Sequence, residues 1–145
     1  LMSGIYKRER HDVFTTDGWY DTGDRGFFDA AGHLHFTGRA GALIKTAGSN
    51  VSPAEVESVL DAMPGVLHSF VVGLPHPVRG EVVAAAVVAS QGTLLSVEAI
   101  VAHARRNLSG FKVPTVLKVI TESERPMLPT GKVDRQGLVG LLTTD

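Results

Sequence analysis

A chain of 145 residues, 43 % hydrophobic and 20 % charged, is long enough for one packed core with an appended piece. Its 14 Lys and Arg against 15 Asp and Glu leave no electrostatic footprint for nucleic acid or an anionic membrane surface, and no apolar run reaches the roughly 20 residues of a transmembrane helix. With no cysteine there is neither a disulfide framework nor thiolate chemistry, and the redox compartment stays open.

The first residue is Leu1, followed by neither a signal peptide nor the start of a fold, so the chain is expected to be a piece of a longer protein. Residues 1 to 24 carry clustered charges from Lys7 to Asp12 and no apolar period, which reads as loop. From Gly26 to Phe36 two short strand-like runs flank a turn with Asp29 and Gly32, which predicts a β-hairpin. His33 and His35 share the polar side of its second strand. No third ligand lies nearby, so solvated histidines are expected rather than a metal site.

The segment from Gly38 to Glu57 is the most informative. Gly38, Gly41 and Gly48 punctuate a stretch whose only cations are Arg39 and Lys45, a composition that suits close backbone approach and an anionic ligand. Ser52, Pro53 and Glu55 then form the pattern of a capping box with proline at the first helical position. Val56, Val59, Leu60 and Met63 give that helix one apolar stripe, with Glu55, Glu57 and Asp61 pointing elsewhere, and Pro64 and Gly65 stop it.

Val66 to Gly73 reads as a strand closed by Leu74 to Pro77, and Val82 to Ala89 as a central strand buried on both faces. Ser96 is an N-cap for a helix with Val97, Ile100, Val101, Ala104 and Leu108 on one face, its C-terminal end favoured by Arg105 and Arg106. A strand from Thr115 to Ile120 follows, then Arg125 to Arg135, then a weak helix capped by Asp134 and loosened by Gly137 and Gly140. The alternation lacks a long regular βαβ rhythm. It points to an α+β fold, a small sheet of about three main strands plus a β-hairpin with helices packed on it.

Taken together, Tyr20-Asp21-Thr22-Gly23-Asp24, Gly38-Arg39, Ile44-Lys45 with Gly48, Val51, Pro53 and Glu55-Val56-Glu57, and Pro129-Thr130-Gly131-Lys132 with Arg135 resemble, in order and spacing, the C-terminal part of adenylate-forming enzymes. That family includes acyl-CoA synthetases, 4-coumarate-CoA ligases, luciferases and the adenylation domains of peptide synthetases. The resemblance covers essentially the whole chain. It implies that residues 1–37 are the tail of a large N-terminal nucleotide-binding domain and residues 38–145 the small mobile C-terminal domain. It also implies a cytoplasmic enzyme using ATP with magnesium, CoA and a carboxylic acid, with the rest of the large domain as the partner of this one.

By the same resemblance Asp24 matches the aspartate that binds the ribose hydroxyls, and Arg39 an arginine near the nucleotide. Lys132 matches the lysine that enters the large domain during adenylate formation, where its charge would offset charge building up at the carboxylate and α-phosphate. Lys45 matches the second lysine of the ligase and luciferase branches, which approaches the adenylate after the small domain has rotated. Gly48, Ser49 and Asn50 would then form the loop beside the pantetheine channel, the glycine leaving room for the thiol arm. The hinge position, usually Asp or Lys, is Gly41 here; glycine tolerates the φ/ψ change but supplies no charge to select an orientation. Two other readings stay open: an adenylating enzyme that loads a carrier protein, and a non-catalytic interaction module that kept the fold.

Overall fold

The computed structural model describes residues 4–39 and 43–144. The chain divides into two compact units, Leu1–Gly41 and Ala42–Asp145.

In the first unit a single 3-10 turn at Arg10–Asp12 and an isolated bridge between Phe14 and Tyr20 are the only regular structure among the described residues before Asp24. The expected hairpin follows as β1 (Asp24–Phe28) and β2 (Leu34–Arg39), antiparallel, with a register shift between Arg25 and Gly26. Its turn is closed by Asp29. One carboxylate oxygen accepts the backbone N–H groups of Ala31 and His33, both at 2.9 Å. The other faces the rings of His35 at 2.8 Å and His33 at 3.3 Å. The histidines therefore meet a carboxylate where solvent alone was expected. The His35 contact, then the His33 N–H, hold the Asp29 carboxyl below the usual carboxylate range. Phe27, Phe28, Leu34 and Phe36 are all exposed on this hairpin.

The second unit is built on a five-stranded sheet. Its strands are β3 (Ile44–Thr46), β4 (Ser49–Val51), β5 (Val66–His76), β6 (Gly80–Ala89) and β7 (Val116–Ile120). β6 is central. β5 pairs with it along its whole length, antiparallel, while its other edge is shared by β3, which touches it at Thr46–Gly80, and by β7, which runs parallel from Val116 to Ile120. The β5–β6 turn is held by His76, whose Nδ1 accepts the N–H groups of Val78 and Arg79 at 3.2 Å each. β5 runs three residues past the expected stop at Gly73; Pro75 is tolerated because β5 is an edge strand.

Because side chains alternate along a strand, β6 feeds two cores. Val83, Ala85 and Val87 join Val71, Ile44 and Val51 under α1 (Pro53–Asp61) and α2 (Val97–Asn107), which contribute Val56, Leu60, Ile100 and Ala104. On the opposite face Val82, Ala84, Ala86 and Val88 join Val72, Leu74 and Ile120 under Leu138 and Leu142 of α3 (Arg135–Thr143). The strand buried on both faces is thus observed, with helices in a layer on each side. Lys118 points toward the second layer, and its ammonium reaches the carbonyls of Leu141 and Thr144 at the C-terminal end of α3, each at 3.4 Å.

Helix starts divide expectation from observation. Ser96 accepts the Ala99 N–H at 3.2 Å and Asp134 accepts the Gln136 N–H at 3.0 Å, so both expected caps form. The capping box at Ser52 does not. Ser52 makes no capping bond to the first turn, and Glu55 instead pairs with Lys112 at 2.5 Å, a residue 57 positions away. Nor do Glu57 and Asp61 turn away from the fold: Glu57 accepts the Val71 N–H at 2.9 Å and Asp61 accepts the Ser69 hydroxyl at 2.6 Å. These carboxylates satisfy groups of the edge strand β5 that apolar side chains could not.

Ala47 has φ 48° and Gly48 φ 80°, the type I′ pair that connects β3 to β4, and only the second is a residue at ease there. Ala47→Asn should therefore stabilise the chain by about 1 kcal/mol, read as a raised midpoint in chemical denaturation. Burial pushes the Glu57 carboxyl up, against the smaller opposing effects of the Val71 N–H and the Arg135 charge. A raised folded-state value means that the group favours folding most below its unfolded value, about 4.3, and that this contribution is lost as pH rises through the folded value. Glu57→Gln keeps an acceptor for Val71 and removes the buried charge. The variant should be more stable than the parent at pH 7, with the gap closing as pH falls toward 4 in thermal unfolding scans.

Candidate functional site

In the first unit the two expected nucleotide-binding residues come together. Asp24 begins β1 and Arg39 ends β2, and the hairpin register sets them directly opposite one another. Asp24 is fixed by two nested turns: the Gly23 N–H donates to Asp21 Oδ1 at 2.8 Å, and the Asp24 N–H to the Thr22 hydroxyl at 3.1 Å. Asp21, Gly23, Asp24, Arg25 and Gly26 line an open cleft of about 320 Å³. A carboxylate at the edge of a small polar cleft is suited to accepting from vicinal hydroxyls.

In the second unit Lys45 lies in β3, exposed between the buried Ile44 and Thr46, and pairs across the hairpin with Asn50. The expected loop of Gly48, Ser49 and Asn50 is in fact a tight turn followed directly by strand. Ala47 and Gly48 make the turn, and Ser49 and Asn50 belong to β4. The sequence brings these residues together with Lys45 because a two-residue turn returns the chain at once. A Cβ at Gly48 would meet nothing within 4 Å, so within this chain its backbone conformation is what favours glycine.

Lys132 is carried by a second tight loop. The Leu128 N–H donates to the Lys132 carbonyl at 2.8 Å, the Gly131 N–H to the Leu128 carbonyl at 2.9 Å, and Met127 bridges Val133. Gly131 has φ 77°, the left-handed residue that closes a three-residue hairpin loop. Lys132 is exposed at its end. Immediately afterwards Val133 packs on the α3-side core and Arg135 begins α3. Arg135 and Glu57 both line a cleft of about 280 Å³ with Ser69, Val71, Val133 and Leu138.

The two lysines are thus held by different layers. The β3–β4 hairpin is anchored through Ile44 and Val51 in the α1/α2 core, and the Lys132 loop through Val133 in the α3 core. The hinge position Gly41 lies outside the described residues. Among those described, no group of three or more His, Cys, Asp or Glu is arranged to hold a metal ion, and no helix is long and apolar enough to cross a membrane. Sequence reasoning passed over Glu81, whose carboxylate accepts the Lys45 N–H at 2.6 Å; only a contact across 36 residues reveals it.

Residues 55–132 match the model of the AMP-binding enzyme C-terminal domain. Sulfoacetate–CoA ligase of Cupriavidus necator is 38 % identical over 141 residues, which is 96 % of this chain and 27 % of that enzyme. ATP-bound MatB from Rhodopseudomonas palustris superposes with a TM-score of 0.78 at 36 % identity, covering 90 % of this chain and 26 % of the other. The o-succinylbenzoate CoA synthetase MenE of Bacillus subtilis, in complex with its acyl-adenylate intermediate, gives 0.81 at 31 % identity over 95 % and 28 %. The chain therefore spans about a quarter of the length of these relatives. A match over more than half of its own length makes this chain a member of the AMP-binding enzymes, and what it carries is their C-terminal domain.

Proposed function

We propose that the chain is the C-terminal part of an ATP-dependent acid–thiol ligase that joins a carboxylic acid to CoA. A carboxylate oxygen attacks the α-phosphorus of ATP, pyrophosphate leaves and an acyl-adenylate forms. The thiol then gives up its proton and attacks the acyl carbon, and AMP leaves. Support comes from relatives that are CoA ligases and from the solved neighbours bound to ATP or to an acyl-adenylate. Magnesium would arrive with ATP, held mainly by its phosphates and by the large domain. The acid is set by that large domain, so the substrate class stays at carboxylic acid.

One observation carries the division of labour: exposed Lys45 sits on the short β3–β4 hairpin and exposed Lys132 on a tight loop, anchored in the cores on opposite faces of one sheet. Lys132 serves adenylate formation, where its ammonium offsets charge on the attacking carboxylate and the α-phosphate. Lys45, with Gly48, Ser49 and Asn50 beside it, serves the thiol step after the domain has turned about Gly41. Asp24 and Arg39 hold the ribose side of the nucleotide. The first unit is then the edge of the large domain. This also accounts for its exposed Phe27, Phe28, Leu34 and Phe36, since an isolated two-stranded hairpin with an uncovered apolar face is not stable in water.

The isolated chain should show no ATP–pyrophosphate exchange with any acid, because it supplies Lys132 but not the site that lysine enters; exchange above blank would refute the reading. In the full-length enzyme Lys132→Ala should slow adenylate formation by roughly two to three orders of magnitude, the size expected for one preorganised charge-stabilising group. Thioester formation from preformed acyl-adenylate should survive. Lys45→Ala should give the reverse pattern. Single-turnover kinetics of each half-reaction decides, and equal damage to both halves by Lys132→Ala would make it a structural lysine.

A further inference from the structure

The hairpin that carries Lys45 has little sheet to hold it. β3 meets β6 at one residue pair, Thr46–Gly80, because β7 occupies the same edge of β6 from Ala84 onward. Beside that bridge the Ala47 N–H donates to the Arg79 carbonyl at 3.0 Å. On the other side of it, where a longer ladder would offer a main-chain carbonyl, the Lys45 N–H takes Glu81 Oε2 at 2.6 Å. A carboxylate makes a shorter and stronger acceptor than a neutral carbonyl. The carboxylate itself is fitted into place. A Cβ on Gly73, the β5 residue across from Val83, would stand 2.8 Å from Glu81 Oε1, 2.9 Å from its Cδ and 3.1 Å from Ile44 Cγ2. Gly73 therefore leaves the space that Glu81 fills beneath the hairpin.

We propose that Glu81 is a positioning residue for Lys45: its carboxylate, seated over Gly73, fixes the main chain of Lys45 and thereby aims the ammonium in the thiol-transfer half-reaction. This rests on the reading of Lys45 given above. Glu81 touches no reacting atom; it sets where β3 lies relative to β6. Displacement of a reacting group by about 1 Å can cost on the order of a hundredfold in rate, which makes one main-chain tether at the lysine consequential.

The test is single-turnover kinetics of both half-reactions in the full-length enzyme for Glu81→Ala, Glu81→Gln, Gly73→Ala, Lys45→Ala and the double variant Glu81→Ala/Lys45→Ala. Glu81→Ala should slow thioester formation from preformed adenylate by roughly ten- to a hundredfold while adenylate formation changes less than about threefold. Glu81→Gln, which keeps an acceptor oxygen, should restore most of the rate. Gly73→Ala should reproduce the Glu81→Ala pattern with both functional side chains intact, and the double variant should be no slower than Lys45→Ala alone. If Lys45→Ala itself spares thioester formation, the assignment of Lys45 fails. If Lys45→Ala slows that step but Glu81→Ala does not, or slows both half-reactions alike, or adds its full effect to the double variant, the positioning role is overturned and the assignment of Lys45 stands.

Discussion

The fold depends on burying β6 from both sides. A ten-residue strand, Gly80–Ala89, has Val82 to Val88 out of water on both faces, and such a strand is stable only between two layers that cover it. Its composition answers that demand. Ala84, Ala85 and Ala86 lie at its centre and let helices approach from either side, while the valines toward the ends widen the contact. Each layer is then small, two helices on one side and a single short helix on the other. β3, β5 and β7 each pair with β6 directly, and β4 is held through β3.

That arrangement explains where the polar side chains are spent. Edge strands, an interrupted ladder and a tight turn leave main-chain donors without strand partners, and three acidic side chains accept from them. Glu57 accepts from Val71 on β5, Glu81 from Lys45 on β3, and Asp29 from the Ala31 and His33 N–H groups in the separate hairpin. A half-buried donor left unmade costs on the order of 1–3 kcal/mol, which gives Glu57, accepting from the buried Val71, a structural reason to be present. Glu57 bears the cost of this placement as a raised proton affinity, because burial outweighs the bond it accepts and the charge of Arg135.

What could be read from the sequence follows from how local the determining physics is. The run Val82 to Ala89, the Ser96 and Asp134 caps and the β1–β2 hairpin depend on residues a few positions apart, and each appears where patterning places it. Ser52 had the same local credentials as Ser96, yet Glu55 is drawn to Lys112 across 57 residues, a partner that no short window contains. Ala47-Gly48 escaped notice as a hairpin turn because alanine is a poor occupant of a left-handed position, so the signal normally given by Asn-Gly was missing. The candidate site residues could be named from the sequence; their supports could not. Lys45, Lys132, Asp24 and Arg39 are singled out by the resemblance of their motifs to the family, whereas the Asp24–Arg39 register and the Glu81 tether exist only once strands are paired.

The separation of the two lysines has a mechanical consequence. Both turns are tied into packed cores that share β6, and cores at crystal-like density do not shear to exchange one surface group for another. Within the proposed ligase, replacing Lys132 by Lys45 at a single adenylate could not be done by rearranging loops inside the domain, since Ile44 and Val51 would have to leave buried positions and Val133 a partly buried one. At about 1.5–3 kcal/mol for each such side chain, that route is costlier than turning the domain as one rigid body about a short connection. One sheet with a helical layer on each face, and one lysine tied to each side, would under that proposal present two alternative surfaces from a body that itself stays unchanged.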